Sequence, residues 1–360
     1  MRNVLKPGIH WLYIFIPISF VLKYTHASAP TIFFCAALSI IPIARLISHS
    51  TEQLATYTGD AVGGLLNASF GNLPEVIIAI VALKAGLHEM VLASLAGAIL
   101  GNLLLATGVS FFVGGLKYRI QDYNPVTVRT YSSMMLIAVI SLTVPSAFHR
   151  FAGDTANTNE NMLNLVLSGV LLLAYVLYLV FMLKTHPDFF HSGGPKAEEE
   201  HHEGRWSLTR SIITLIVASV MAAFMSEILV GAAEETGKVL GLSEAFVGLI
   251  FLAIIGGAAE SISAVLMGRK NKMDLSLGIA LGSSIQIALF VSPLLVILST
   301  FVGPKQMNLS FSRGIMVIMF AAVLIAGLIS GDGRSNWYKG VQLILVYSII
   351  AMMFYFATAS

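Results

Sequence analysis

Gly71-Asn72-Leu73-Pro74-Glu75-Val76-Ile77-Ile78-Ala79 and, 185 residues further on, Gly256-Gly257-Ala258-Ala259-Glu260-Ser261-Ile262-Ser263-Ala264 each place one carboxylate inside a long apolar run. Both stretches open on helix-weakening residues, carry Ala four positions after Glu, and end at a cation, Lys84 or Arg269. From Glu75 to Gly86 is 11 residues, about 16 Å of helix at about 1.5 Å per residue. From Glu260 to Arg269 is nine residues, about 13 Å by the same rise. Half of a hydrocarbon core is about 15 Å, so both carboxylates fall near a membrane midplane. An ion there costs at least about 2.5 kcal/mol, and such residues usually line a pathway and face a partner or a cation. A protonated glutamate that ties two helices together by hydrogen bonds is the competing reading, and Gly71 and Gly256 also suit close helix packing.

The membrane setting follows from composition. Of 360 residues, 56% are hydrophobic and 11% charged, against about 25% charged in a soluble protein. Disorder is excluded by the apolar content, and an intramolecular disulfide by the lone Cys35. A net charge of +2 lacks the basic excess that nucleic acid attracts. Apolar runs fall at 8–24, 30–48, 58–86, 88–116, 127–148, 161–184, 208–232, 243–268, 273–302, 311–330 and 338–358. The prediction is therefore an all-α polytopic membrane protein with about eleven transmembrane helices. Helices satisfy their own backbone in lipid, and the ten-residue alternation of a barrel is absent. Arg2, Lys6 and the following apolar run, ending at Ala27-Ser28-Ala29, mimic a cleaved signal peptide. Pro30 just past the cut, and the length of the run, favour a retained first helix. If the spans alternate, 15 of the 21 Lys and Arg lie on the N-terminal side, which predicts a cytoplasmic N-terminus and an outside C-terminus.

The two quoted stretches belong to a longer repeat. Thr51-Glu52 matches Ser226-Glu227, and Gly101-Asn102 faces Gly282-Ser283-Ser284-Ile285-Gln286 with a one-residue slip. The offsets of 175, 185 and 184 put the length differences in loops. Spans 2–6 and 7–11 thus form two five-helix repeats. Five is odd, so the second enters the membrane from the opposite face. Such inverted repeats with broken helices mark secondary transporters. The expected division is an accessory helix at 1–29, repeats at 30–185 and 208–360, and a cytosolic linker at 186–207. That linker holds Glu198, Glu199, Glu200 and Glu203 around His201 and His202. It reads as a solvated connection or, alternatively, as a regulatory cation or pH sensor.

Glu75 and Glu260 are the expected cation and proton ligands. Ca²⁺ takes six to eight oxygens from carboxylates, carbonyls, amides and water. The two glutamates offer carboxylates, the breaks at Gly71, Gly256 and Gly257 free backbone carbonyls, and Asn72, Asn102, Gln286, Ser283 and Ser284 offer neutral oxygens. No Cys/His cluster competes for a softer metal, and His88 and His149 fall at span ends. Two carboxylates hold either one divalent cation or two protons, the competition an antiporter needs. No cofactor is expected beyond the transported Ca²⁺ and H⁺.

The Gly71–Gly86 stretch, the 256–296 stretch, Gly63–Phe70 and Gly327–Trp337 together resemble the calcium/proton antiporter (cation/H⁺ exchanger) family of the Ca²⁺/cation antiporter superfamily, over nearly the whole chain. The resemblance implies an eleven-helix antiporter that exports Ca²⁺ against H⁺, with Glu75 and Glu260 as shared ligands. It implies assisting amides at Asn72, Asn102 and Gln286, and a proton route through Glu52 and Glu227. An acidic segment lies between the family's repeats where 198–203 does here. Two positions depart from the pattern: Gly257 stands where Asn is usual, and Ser261 where His often follows the glutamate. Both bear on ion selectivity and stoichiometry. Exchange of Na⁺ or another divalent cation is the same-fold alternative. A channel lacks support from paired carboxylates in inverted repeats. An intramembrane enzyme lacks a nucleophile motif or His-Glu-x-x-His. A prokaryotic plasma membrane is the expected location, with a vacuolar-type membrane the alternative; a homo-oligomer stays open.

Overall fold

The computed structural model describes residues 9–58, 63, 66, 69–151, 156–187 and 206–357. In chain order its helices are Ile9–Tyr24 (α1), Ala29–Ala55 (α2), Leu73–Lys84 (α3), His88–Tyr118 (α4), Pro125–Phe151 (α5) and Glu160–Thr185 (α6). After residue 206 come Leu208–Leu240 (α7), Glu244–Gly256 (α8), Ala258–Arg269 (α9), Met273–Ser299 (α10), Arg313–Ser330 (α11) and Trp337–Ala357 (α12). Strands Ile120–Asp122 (β1) and Arg334–Asn336 (β2) follow α4 and α11 and pair antiparallel. The protein is a mostly helical, multi-pass membrane protein.

Among the described residues, eight helices are long and apolar enough to cross a bilayer, and α8 with α9, bent by 59° at Gly257, make a ninth. The other two expected spans correspond to α1 and α3, which fall short of spanning length. Upstream of α3, much of the 58–70 stretch lies outside the described residues. The 186–207 linker, with Glu198, Glu199, Glu200 and Glu203, lies almost wholly outside them as well.

Burial separates inner from outer helices. Some 78% of the apolar window of α4 and 72% of that of α10 are buried, against 28% for α6 and 22% for α12. The outer helices turn Ile137, Leu173, Val217 and Leu328 outward, a surface that suits lipid and not water. Inside, α2 packs along α7, α3 lies against α7, and α9 lies against α2. Each short helix that carries one of the two glutamates, Glu75 or Glu260, therefore rests on a long helix from the other half of the chain.

Small residues set the closest crossing, as expected where lipid supplies no hydrophobic drive between helices. A Cβ at Gly97 on α4 would sit 2.0 Å from the Leu249 carbonyl oxygen on α8, and one at Gly248 would sit 2.4 Å from the Met90 carbonyl oxygen. Neither backbone can yield to a side chain. Gly97→Leu is expected to cost at least about 1–3 kcal/mol by overpacking, measured as a lowered Tm in detergent. Gly231→Ala is the control, because a Cβ there meets nothing within 4 Å.

The β1–β2 pair clasps the ends of four helices. Buried Gln121 donates from Nε2 to the Gly268 carbonyl (2.9 Å) and to Asn271 Oδ1 (2.9 Å), which anchors the clasp to the end of α9. Tyr123 donates to the Ser330 carbonyl at 2.9 Å. Burial, then the charges of Asp332 and Asp274, hold its hydroxyl well above its ordinary range, so it stays a neutral donor.

Candidate functional site

Both glutamates sit in the first turn of their helices, Glu75 on α3 and Glu260 on α9. The positive end of a helix dipole favours a carboxylate there. Immediately before each helix the chain breaks in nearly the same way. Asn72 has φ −91° and ψ 20°, and Gly257 has φ −79° and ψ 11°; each stands three residues ahead of its glutamate. The chain bends by 59° between α8 and α9, and the carbonyls of Asn72 and Gly257 each accept from the helix that follows, from the Val76 N–H (3.1 Å) and the Ser261 N–H (3.0 Å).

Glu75 is buried, and neither of its carboxylate oxygens finds a donor from another residue; the same holds for Oε2 of half-buried Glu260. The closest approach to Glu75 is made by the second break. A Cβ on Gly256 would lie 2.9 Å from Glu75 Cγ, and one on Gly257 would lie 3.6 Å from Glu75 Oε1 and 3.9 Å from Asn102 Oδ1. The carboxylate of the first half thus faces the backbone of the second. Glu260 stands three residues past that same break, so both carboxyl groups border it. Such a pair calls for a cation or for protons.

Neutral groups link the halves around it. Asn102 Nδ2 donates to Ser283 Oγ at 3.1 Å, Ser283 Oγ donates to Asn72 Oδ1 at 2.7 Å, and Asn72 Nδ2 donates to Gln286 Oε1. Asn102 lies in a π-helical turn, Gly101–Ala106, and Gln286 immediately precedes another, Ile287–Val291. Wide turns of this kind recur at functional sites. Hydroxyls absorb carbonyls that they free: Thr107 Oγ1 donates to Asn102 O (2.9 Å), and Ser292 Oγ donates to Ile287 O (2.7 Å). The second pair lies 185 residues after the first, the same offset as the two glutamates.

A cavity of about 520 Å³ leads to this cluster, lined by Gly71, Asn72, Glu260, Ser283 and Gln286 at depth and by Glu52, Asn124 and Asp274 farther out. Glu75 borders a separate space of about 10 Å³ with Ile78, Ser94, Leu95 and Ala253, near the least volume that one water needs. Glu260 thus lines the wide cavity, whereas Glu75 borders only the small space.

Other residues singled out in the sequence fall elsewhere. Ser284 is buried but donates to the Ala280 carbonyl of its own helix at 3.1 Å, and it does not line the cavity. Glu52 lies at the cavity, 3.7 Å from His49. Glu227 is exposed on α7 and lines none of the cavities described here. Among the cavity residues that escaped the sequence reading are Asp274, Tyr131 and Tyr178. Asp274 accepts from the Asn124 backbone N–H at 2.7 Å, while Tyr131 and Tyr178, hydrogen-bonded to each other, form part of the wall. Asp274 follows Lys272 at the head of a span and reads there as a helix-start acid. Among the described residues no three His, Cys, Asp or Glu side chains come together, so a cation between the glutamates has to complete its shell with neutral oxygens.

Comparison with known proteins adds an independent line. The family model described as sodium/calcium exchanger protein matches residues 28–184 and 210–356. A Ca²⁺/H⁺ antiporter, ChaA, of Bacillus subtilis (strain 168) is 41% identical over 341 residues, which cover 94% of this chain and 96% of that protein. A vacuolar calcium ion transporter of Schizosaccharomyces pombe is 38% identical over 347 residues, covering 95% of this chain and 83% of that one. The solved structure of native YfkE superposes with a TM-score of 0.83 at 38% identity, covering 97% of this chain and all of that one. The H⁺/Ca²⁺ exchanger CAX, at 15% identity, shares the fold with a TM-score of 0.70, covering 97% and 92%.

Proposed function

Because the chain belongs to the sodium/calcium exchanger protein family, and is therefore a transporter and not an enzyme, we propose that it exchanges Ca²⁺ for H⁺ by alternating access. Glu75 and Glu260 hold either one Ca²⁺ or protons. The observation that carries this reading is the pair of carboxylates, each three residues after a matching chain break, with both oxygens of Glu75 and Oε2 of Glu260 lacking a donor from another residue. The names of the B. subtilis and YfkE-like relatives agree with it.

Two inverted five-helix halves, 30–185 and 208–360, supply the alternation. Support comes from the shared backbone break, from the wide turns and hydroxyl bonds repeated 185 residues apart, and from a family match that falls in two stretches. A cation entering the 520 Å³ cavity meets Glu260 first and then Glu75. Once the charge between the carboxylates is neutralised, the bundle can close that cavity and open the narrow space beside Glu75. Protons, taken up on the other side, reset the site. Glu52 serves proton access on the open face, and Glu227 serves it on the closed one. The N-terminus, and with it the mouth of the cavity, faces the cytoplasm, in a prokaryotic plasma membrane. The 198–203 acidic segment is a candidate regulatory cation site.

The test is ⁴⁵Ca²⁺ uptake into proteoliposomes with an imposed proton gradient. Saturable uptake that stops when nigericin collapses the gradient is the expected result. Uptake that follows a Na⁺ gradient and ignores the proton gradient would replace H⁺ by Na⁺ as the counter-ion.

A further inference from the structure

A groove of about 780 Å³ runs down the outside of the bundle between α5 and α11, one helix from each half of the chain. Helix α5 starts beside Asn124 at the wall of the wide cavity. Its far end, and the start of α11 that meets it, therefore lie on the opposite face. Contact there is direct: Ser146 Oγ donates to the Phe311 carbonyl at 3.2 Å. The groove extends from Ala147 back to Ile140 on α5, and from Arg313 on to Phe320 on α11. Each stretch advances by seven residues, about 10 Å of helix. That is about two thirds of the half-core of one leaflet.

The two ends of the groove differ in chemistry. Its deep part is walled by Ile140, Met316, Val317 and Phe320. The hydroxyls along it are already spent: Thr143 donates to the Ile140 carbonyl (2.7 Å), Ser146 to that of Phe311, and Ser310 to Glu160 (3.1 Å). At the membrane surface stands Arg313, exposed, whose side chain makes no ion pair or hydrogen bond among the described residues. Beside it, Ser312 Oγ accepts from the Ile315 N–H at 3.4 Å, which leaves its own proton to donate. No acid lines the groove among the described residues. An unpaired cation at headgroup depth, above an apolar trough, is complementary to an amphiphile of negative charge. Basic pockets between transmembrane helices bind anionic headgroups, and the forked donors of arginine suit a phosphate. A second copy of this face fits less well. Neither α5 nor α11 contains an acid, so like-on-like contact would bury Arg313 unpaired, which is costly.

We propose that the groove between α5 and α11 binds an anionic phospholipid from the leaflet on the face opposite the mouth of the wide cavity. The phosphate sits on Arg313 and Ser312, and one acyl chain lies along Met316, Val317 and Phe320. One lipid then bridges the two halves of the chain. The site is separate from the two glutamates, and the proposal does not depend on which ions they carry.

The experiment begins with wild-type protein in vesicles that contain palmitoyl-oleoyl phosphatidylglycerol bearing a diazirine on one acyl chain. After illumination, the label should concentrate on residues 140–147 and 313–320. Label spread evenly over the outer helices, or missing from both stretches, describes annular lipid only and overturns the proposal. Native mass spectrometry of delipidated protein then compares phosphatidylglycerol with phosphatidylcholine at the tightest site. The anionic lipid should bind about fivefold more tightly, the worth of one cation beside its headgroup. Arg313→Gln should bring the two lipids within about twofold of each other, while Arg313→Lys keeps most of the preference. Val317→Trp, which fills the trough, should lower retention of phosphatidylglycerol about fivefold. A preference that survives Arg313→Gln overturns the proposal. So does an oligomer that persists without lipid and dissociates in Val317→Trp, which would assign the groove to a second copy. Should a variant fail to fold, the wild-type labelling pattern decides.

Discussion

Replacing Glu75 by Gln is expected to abolish proton-driven ⁴⁵Ca²⁺ transport while leaving the folded protein intact, and Glu260→Gln is expected to do the same. Gln preserves shape and removes only the charge and the titratable proton. The carboxylate of Glu75 is buried and finds no donor among the described residues, so no hydrogen bond is lost when it becomes an amide. Removing one member of a buried charged set typically costs about 3–5 kcal/mol, which is about two to four orders of magnitude in affinity at about 1.4 kcal/mol per tenfold. Transport should therefore fall to background, with Tm in detergent unchanged or raised, since a buried unpaired charge has been removed. The unchanged Tm separates a ligand role from a helix-tying role. A glutamate that served only as a hydrogen-bonding strut would lose stability on substitution and keep transport. Wild-type rates in Glu75→Gln would defeat the assignment.

Much of this arrangement was legible in the sequence because the bilayer makes simple demands. Long apolar runs become helices, and every predicted run coincides with helix among the described residues. The breaks at Gly71-Asn72 and Gly256-Gly257 were visible because Gly and Pro stand out in such runs, and Glu75 and Glu260 because an acid at that depth has few structural reasons to exist. What escaped was set by angle and by state. Ser283 and Ser284 are neighbours in sequence, yet about 100° apart around a helix of 3.6 residues per turn, and only Ser283 reaches the polar chain. Asp274 joins the cavity wall because α10 begins beside Asn124, a contact between residues 150 apart. The β1–β2 clasp pairs three-residue strands more than 200 positions apart, too short to leave a pattern. Glu52 and Glu227 occupy matching sequence positions but different surroundings: Glu52 lines the wide cavity, whereas Glu227 is exposed on α7 and lines neither space beside the glutamates.

That asymmetry leads to an all-or-none expectation for thiol labelling. Cys35 is the one cysteine in the chain, so a Cys35→Ala background offers a clean canvas for single cysteines. Ser263 lines the wide cavity one turn beyond Glu260, whereas Ser94 borders the closed space beside Glu75. The outer wall of the wide cavity comes from the end of α2 (Glu52), the end of α6 (Met182, Leu183), the approach to α5 (Asn124) and the start of α10 (Asp274). For alternating spans all four lie on the N-terminal face, so one orientation fixes the accessibility of every residue in it. In the state described here, Ser263→Cys should react with a membrane-impermeant maleimide from that face and not from the other, while Ser94→Cys reacts from neither. A thiol in a water-filled cavity ionises and reacts, and one packed among apolar side chains does not. A proton gradient that drives turnover should reverse the pattern in part, exposing Ser94→Cys from the opposite face as Ser263→Cys is shielded. A ligand shifts such an equilibrium only through differential affinity for the two states; in the proposed mechanism the neutralised carboxylate pair would provide it, because closing the bundle over two bare charges is far more costly than over a charge-balanced site. Equal labelling of both positions from both faces would describe an open pore, and the alternating-access reading would then have to give way to a channel.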